Sequence, residues 1–95
     1  MNYAAKVNLI KILANKGHIA KAVELSICAN LESTEGTLRG FFMDNASGTA
    51  AAAGISPAQF AGALGAMEKA GKYHPSDDPE YKGHYGYLIC PKIEE

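Results

Sequence analysis

Arginine is almost missing from this 95-residue chain: Arg39 is the only one, and eight lysines complete the cationic set. Nine cationic side chains face ten acidic ones, for a net charge of −1 and a pI near 6.3. No overall positive field therefore attracts polyanions, and any nucleic-acid contact has to come from local placement of charge. Cysteine is scarce too. Cys28 and Cys90 stand far apart in no Cys-x-x-Cys pair, which fits a reduced, intracellular chain without a disulfide framework. Long apolar runs are lacking: a bilayer span needs about 20 consecutive apolar residues, and nothing here approaches that. No charged-then-apolar leader opens the sequence, so the expected location is the cytoplasm, with no membrane partner.

Chemistry-bearing spacing is equally sparse. His18, His74, His84, Cys28, Cys90, Asp77 and Asp78 are the residues that would hold a metal, and no pair has zinc-finger or zincin spacing. No Ser/His/Asp set, phosphate loop or paired carboxylates emerge, and Cys28 reads as a small core residue on an apolar helix face. The expectation is a non-enzyme with no cofactor and no metal.

What remains is a globular composition, 47% hydrophobic and 20% charged. Alanine and glycine supply much of the first figure. The large anchors are Val7, Leu9, Ile10, Ile12, Leu13, Ile19, Val23, Leu25, Ile27, Leu31, Leu38, Phe41, Phe42, Ile55, Phe60, Leu64, Met67, Leu88 and Ile89. That is a thin core for one domain, and a homodimer would thicken it. Charge is unevenly spread. Residues 1 to 23 carry Lys6, Lys11, Lys16 and Lys21 with no acid, whereas residues 73 to 95 carry Lys82 and Lys92 against Asp77, Asp78, Glu80, Glu94 and Glu95. Solvated lysines explain the basic end as readily as a partner does.

Periodicity orders the chain. Residues 1 to 31 predict two helices, the first from Tyr3 to Ala14 and stopped at Asn15-Lys16-Gly17, the second from Ile19 to about Ala29. Residues 33 to 71 predict a helical core. Ser33 or Thr34 would cap a third helix burying Thr37, Leu38, Phe41 and Phe42; Asp44-Asn45 would end it, and Ser47-Gly48 would turn. Thr49 to Ala53 would be a short alanine helix closed by Gly54. Ser56 would cap the next helix, with Pro57 at its first position and Phe60, Leu64 and Met67 buried, until Gly71 stops it. Residues 72 to 90 alternate like a β-hairpin, with a short strand at 72 to 74. In the second strand, 84 to 90, Tyr85, Tyr87 and Ile89 face one way and His84, Gly86, Leu88 and Cys90 the other. The expected class is mainly α with a small β-hairpin.

The stretch SGTAAAAGISPAQFAGALGAMEKAG, residues 47 to 71, gives this order a likeness. Gly54 sits at a left-handed bend between two helices, Ala50 is small where their backbones approach, and Ile55, Phe60 and Leu64 are apolar where the second packs back. With MEKAGKY leading into a hairpin, the chain from about Ser33 to Ile89 resembles the winged helix-turn-helix superfamily, in the manner of MarR-like and small phage or plasmid regulators. The resemblance implies a winged helix with extra N-terminal helices, double-stranded DNA as partner, dimeric binding, and a role in transcription regulation or as an accessory factor. It would place base contacts on Ser56 and Gln59. Phosphate contacts would fall to Lys6, Lys11, Arg39, Lys69, Lys72 and Lys82, with His84 and Tyr85 on the hairpin.

The same helix argues for a rival. Its remaining exposed positions are Pro57, Ala58, Ala61, Gly62 and Gly65, none of which reads a base, and the hairpin tip PSDDPE would repel phosphate. Four of the five tyrosines fall between residues 73 and 87, which cross-strand packing explains as well as binding. The alternative is a protein–protein interaction module or inhibitor of the same fold that binds no DNA.

Overall fold

The structure is a computed structural model describing residues 2–29 and 36–90. Among the described residues, four helices and three strands follow one another as α1 (Tyr3–Asn15), α2 (Ile19–Cys28), β1 (Leu38–Phe42), α3 (Met43–Ala52), α4 (Pro57–Lys69), β2 (Tyr73–Pro75) and β3 (Tyr85–Ile89). The strands form one antiparallel sheet in the order β1-β3-β2.

The first helix begins where Asn2 accepts the Ala5 amide on its side chain at 2.8 Å. It ends where Gly17 takes φ +85°, after which His18 donates back to Leu13. The second helix is the hub. It packs against α1, α3 and α4, and Ala22, Val23, Leu25, Ser26, Ile27 and Cys28 are all buried. So complete a burial leaves one hydroxyl in the core. Ser26 satisfies it by donating from Oγ to the Ala22 carbonyl at 2.9 Å.

Alanines and glycines let the layers close. Ala46, Ala50, Ala53 and Ala63 are buried beside Ile10, Phe41, Ile55, Phe60, Met67 and Leu88, so small residues carry a real share of the core. Tyr73 joins them, tilted against Phe41 at 5.9 Å between ring centroids. Burial, with Glu68 nearby, pushes its phenol above the ordinary tyrosine range.

Residues 38–48 depart from expectation. A third helix burying Leu38, Phe41 and Phe42 was expected there, with its end at Asp44-Asn45 and a turn at Ser47-Gly48. Instead Leu38–Phe42 is a strand and Met43–Ala52 a single helix. The spacing 38, 41, 42 suits a helical face, but Leu-Arg-Gly-Phe-Phe contains a glycine that weakens a helix and two aromatics that favour a sheet. Strand β3 supplies the partner: Leu38, Gly40 and Phe42 pair with Ile89, Tyr87 and Tyr85. Phe41 then turns inward, while Leu38 and Phe42 are half exposed on the other face with Ile89. These three anchors, and Ile12 on α1, therefore lie outside the core. Asp44, read as a stop, sits in the first turn of α3, where its charge complements the helix dipole. The proposed caps Ser33 and Thr34, and the anchor Leu31, lie outside the described residues.

The β-hairpin is present with small boundary shifts, at Tyr73–Pro75 and Tyr85–Ile89, and β1 extends it to three strands. From Tyr85 on the alternation is as expected, with Gly86, Leu88 and Cys90 buried and Tyr87 and Ile89 exposed; His84, expected on the face of Gly86, instead lies exposed in the turn before the strand.

Candidate nucleic-acid interface

Helices α3 and α4 meet at a four-residue junction, Ala53 to Ser56, built from local rules. Ala50 is buried, and its carbonyl accepts from both Ala53 and Ile55, at 3.1 and 2.9 Å. Gly54 takes φ +89°, the left-handed region that a β-branched residue avoids. Ile55 then dives into the core, and Ser56 starts α4 with a complete capping box: Ser56 Oγ accepts the Gln59 amide at 3.1 Å, and Gln59 Oε1 accepts the Ser56 amide at 3.0 Å. Pro57 stands at the first helical position, as the sequence indicates.

The capping box changes what the two expected base-contacting residues can do. Both remain exposed, but each uses its side-chain oxygen on the helix start. Gln59 keeps its amide NH₂ as a free pair of donors, so it can give hydrogen bonds to a base or phosphate without breaking the cap. Bidentate adenine recognition needs the amide oxygen as well, and would open the box. Helix-start amides are similarly spent. Pro57 has none, Gln59 donates to Ser56 Oγ and Phe60 to the Ser56 carbonyl, which leaves Ala58 as the first-turn donor for an anion.

Along its length, α4 presents Ala58, Ala61, Gly62, Gly65 and Ala66 to solvent. A methyl group built on Gly62 or Gly65 meets nothing within 4 Å. Packing inside this chain therefore does not require these two glycines. A concavity of about 400 Å³ opens where α4 starts, lined by Asp44, Ser47, Gly48, Ala51, Ile55, Ser56, Pro57 and Phe60.

The cationic candidates are spread out. Lys69 lies exposed in the last turn of α4 and Lys72 just beyond it. At 1.5 Å per residue, Lys69 is about 20 Å along the axis from Ser56. Lys72 reaches Glu24 of α2 at 3.6 Å, so part of its charge is answered within the chain. Lys82 and His84 are exposed on the β2–β3 connection, where Tyr85 is half-buried against Phe42 and Tyr81. Arg39 is half-buried on β1, across the sheet from β2. On α1, which packs against α2 and α3, Lys6 donates to the Ala29 carbonyl at 3.3 Å, closing the end of α2, while Lys11 is exposed. The structure thus brings Lys82 and His84 together on one connection, next to Tyr85 at the start of β3, and Lys69 with Lys72 at one end of α4. It does not draw Arg39, Lys6 or Lys11 into either set.

On the outer face of the sheet, Leu38, Phe42, Tyr87 and Ile89 are exposed in one register, with His74 paired to Tyr87 from β2. Phe42 and Tyr87 both stand edge-on to Tyr85, at 4.8 and 5.4 Å. A pocket of about 340 Å³ opens here between Phe42, Ser76, Asp78, Tyr81, Tyr85 and Tyr87. The sequence signalled its β3 half through alternation. Its β1 half was hidden by the helical reading of residues 38–42.

Among the described residues, no group of three His, Cys, Asp or Glu side chains is placed to hold a metal ion. Among the same residues, no helix is long and apolar enough to cross a membrane. Comparison with family models, curated proteins and solved structures yields no match.

Proposed function

We propose that this chain is a small winged helix-turn-helix DNA-binding protein, a transcriptional regulator or accessory factor that grips duplex DNA mainly by its phosphates and the shape of its groove. The observation that carries the reading is the arrangement of α3, the Gly54 turn, the capped α4 and the β2–β3 hairpin, in the order the resemblance asks for. In this reading α4 enters the groove with its smooth Ala/Gly face. Lys69, Lys72, Lys82 and His84 reach flanking phosphates, and the Gln59 NH₂ and the Ser56 hydroxyl supply the base-edge donors. A homodimer would give the grip a second half-site and cover the exposed Ile12 and Tyr3 of α1.

One observation favours a second reading, a protein-binding module that leaves DNA alone. The outer sheet face, with Leu38, Phe42, Tyr87 and Ile89 exposed together, has the apolar and aromatic make-up of an interface core.

Amide chemical-shift mapping of the labelled chain with a mixed-sequence duplex at low salt separates the two. The DNA reading expects the largest shifts in residues 56–65, at Lys69 and Lys72, and across 76–84. Shifts absent from all of these at saturating DNA reject it, and leave the sheet face as the working surface.

A further inference from the structure

Cys28 and Cys90 stand far apart in sequence, yet the fold brings the last residue of α2 beside the residue that follows β3 and places their sulfurs at 2.7 Å. Both are free thiols and both are buried. Two core positions of this size need only a small apolar side chain, and alanine would fill them without placing sulfur against sulfur. The separation exceeds a disulfide bond of about 2 Å by less than an ångström, which a modest side-chain rotation closes.

We propose that Cys28 and Cys90 are a modification site, at which a small-molecule disulfide of the glutathione type installs an intramolecular disulfide. One cysteine loses its proton and its thiolate attacks a sulfur of the reagent, expelling one thiolate and leaving a mixed disulfide on the protein. The second cysteine, deprotonated in turn, attacks the protein-side sulfur of that bond and expels the second thiolate. The two expelled thiolates take up the two protons. The two cysteine sulfurs are together oxidised by two electrons, and the reagent is reduced to two thiols. Entry is by way of Cys90. Its backbone is held by two hydrogen bonds, from Gly36 to its carbonyl at 2.9 Å and from its amide to Thr37 at 3.2 Å, so releasing this short stretch bares the sulfur without unfolding α2. Burial disfavours the Cys28 thiolate, which assigns Cys28 the second step, next to an already formed mixed disulfide. The bond closes a loop spanning most of the chain and restricts the unfolded ensemble accordingly.

The test uses the full chain and oxidised glutathione. After incubation, denaturation and alkylation without reductant, the expected product is a monomer that has lost two hydrogen atoms and takes up no alkylating reagent. It should melt at least about 10 °C above the dithiothreitol-treated protein, and revert on reduction. Cys28→Ala and Cys90→Ala should each abolish that gain, and Cys28→Ala should stop at a mixed disulfide with glutathione. Both thiols still open to alkylation after prolonged exposure would overturn the proposal, as would oxidation that yields only cross-linked dimers. The wild-type mass measurement stands even if a variant fails to fold.

Discussion

Gly54→Val is expected to destabilise the fold by about 2–3 kcal/mol, a fall in melting temperature of about 10 °C or more. Nothing lies within 4 Å of a Cβ built at this position, so no clash is involved. The cost is torsional. Gly54 holds φ +89°, and a β-branched side chain there strains against its own backbone. Relief would require reopening the junction in which Ala50 accepts from Ala53 and Ile55, and with it the entry of Ile55 into the core. Gly62 and Gly65 supply the contrast. They sit in α4 with open space around them and ordinary helical backbone, so alanine at either should stabilise by about 0.5–1 kcal/mol. Thermal melts of the three variants check the pair of expectations. A Gly54→Val protein that melts with the parent would remove the left-handed junction on which the helix-turn-helix reading stands.

Leu88→Ala should cost more, about 3–4 kcal/mol, because the leucine is 1% exposed and sits where three elements converge. On β3 it pairs with Arg39 of β1 on one side and Tyr73 of β2 on the other, so its side chain fills the centre of the inner sheet face. Truncation leaves a cavity beneath Phe41 and Tyr73 that a rigid three-strand register cannot readily close. Ile89, one residue on, is 48% exposed on the opposite face, and Ile89→Ala should fall within about 0.5 kcal/mol of the parent. Chemical denaturation of the two variants reads the register directly. Equal losses would mean that the strand faces are not assigned as they stand here, since a one-residue slip exchanges them.

Legibility of the fold followed the strength of local chemistry. Gly54 and the Ser56-Pro57 start announce themselves to the residue through capping and left-handed turns, which need no tertiary partner, and Gly17 within the three-residue stop Asn15-Lys16-Gly17. Leu38–Phe42 was misread because a short apolar run satisfies helical spacing and strand alternation at once. What decides it is β3, more than forty residues downstream. The sequence places Cys28 and Cys90 in no pair for the same reason: only the tertiary fold brings the end of α2 to the residue after β3. For the candidate interface, the residue list was legible but its grouping was not. Periodicity shows that Ser56 and Gln59 start α4. It does not show that they bond to each other, that Lys6 closes α2, or that Lys72 answers Glu24.

The central claim, a DNA grip made of phosphate contacts around a smooth helix, is tested most directly by the salt dependence of duplex binding. Fluorescence anisotropy with a labelled mixed-sequence duplex, titrated at several salt concentrations, should show binding at low salt. The logarithm of the association constant should fall against that of salt with a slope of about −3 to −4, the value for three or four neutralised phosphates. Replacing Lys69, Lys72 and Lys82 together with alanine should flatten that slope by about 2–3. No binding at tens of micromolar in low salt, or a slope near zero, would contradict the account.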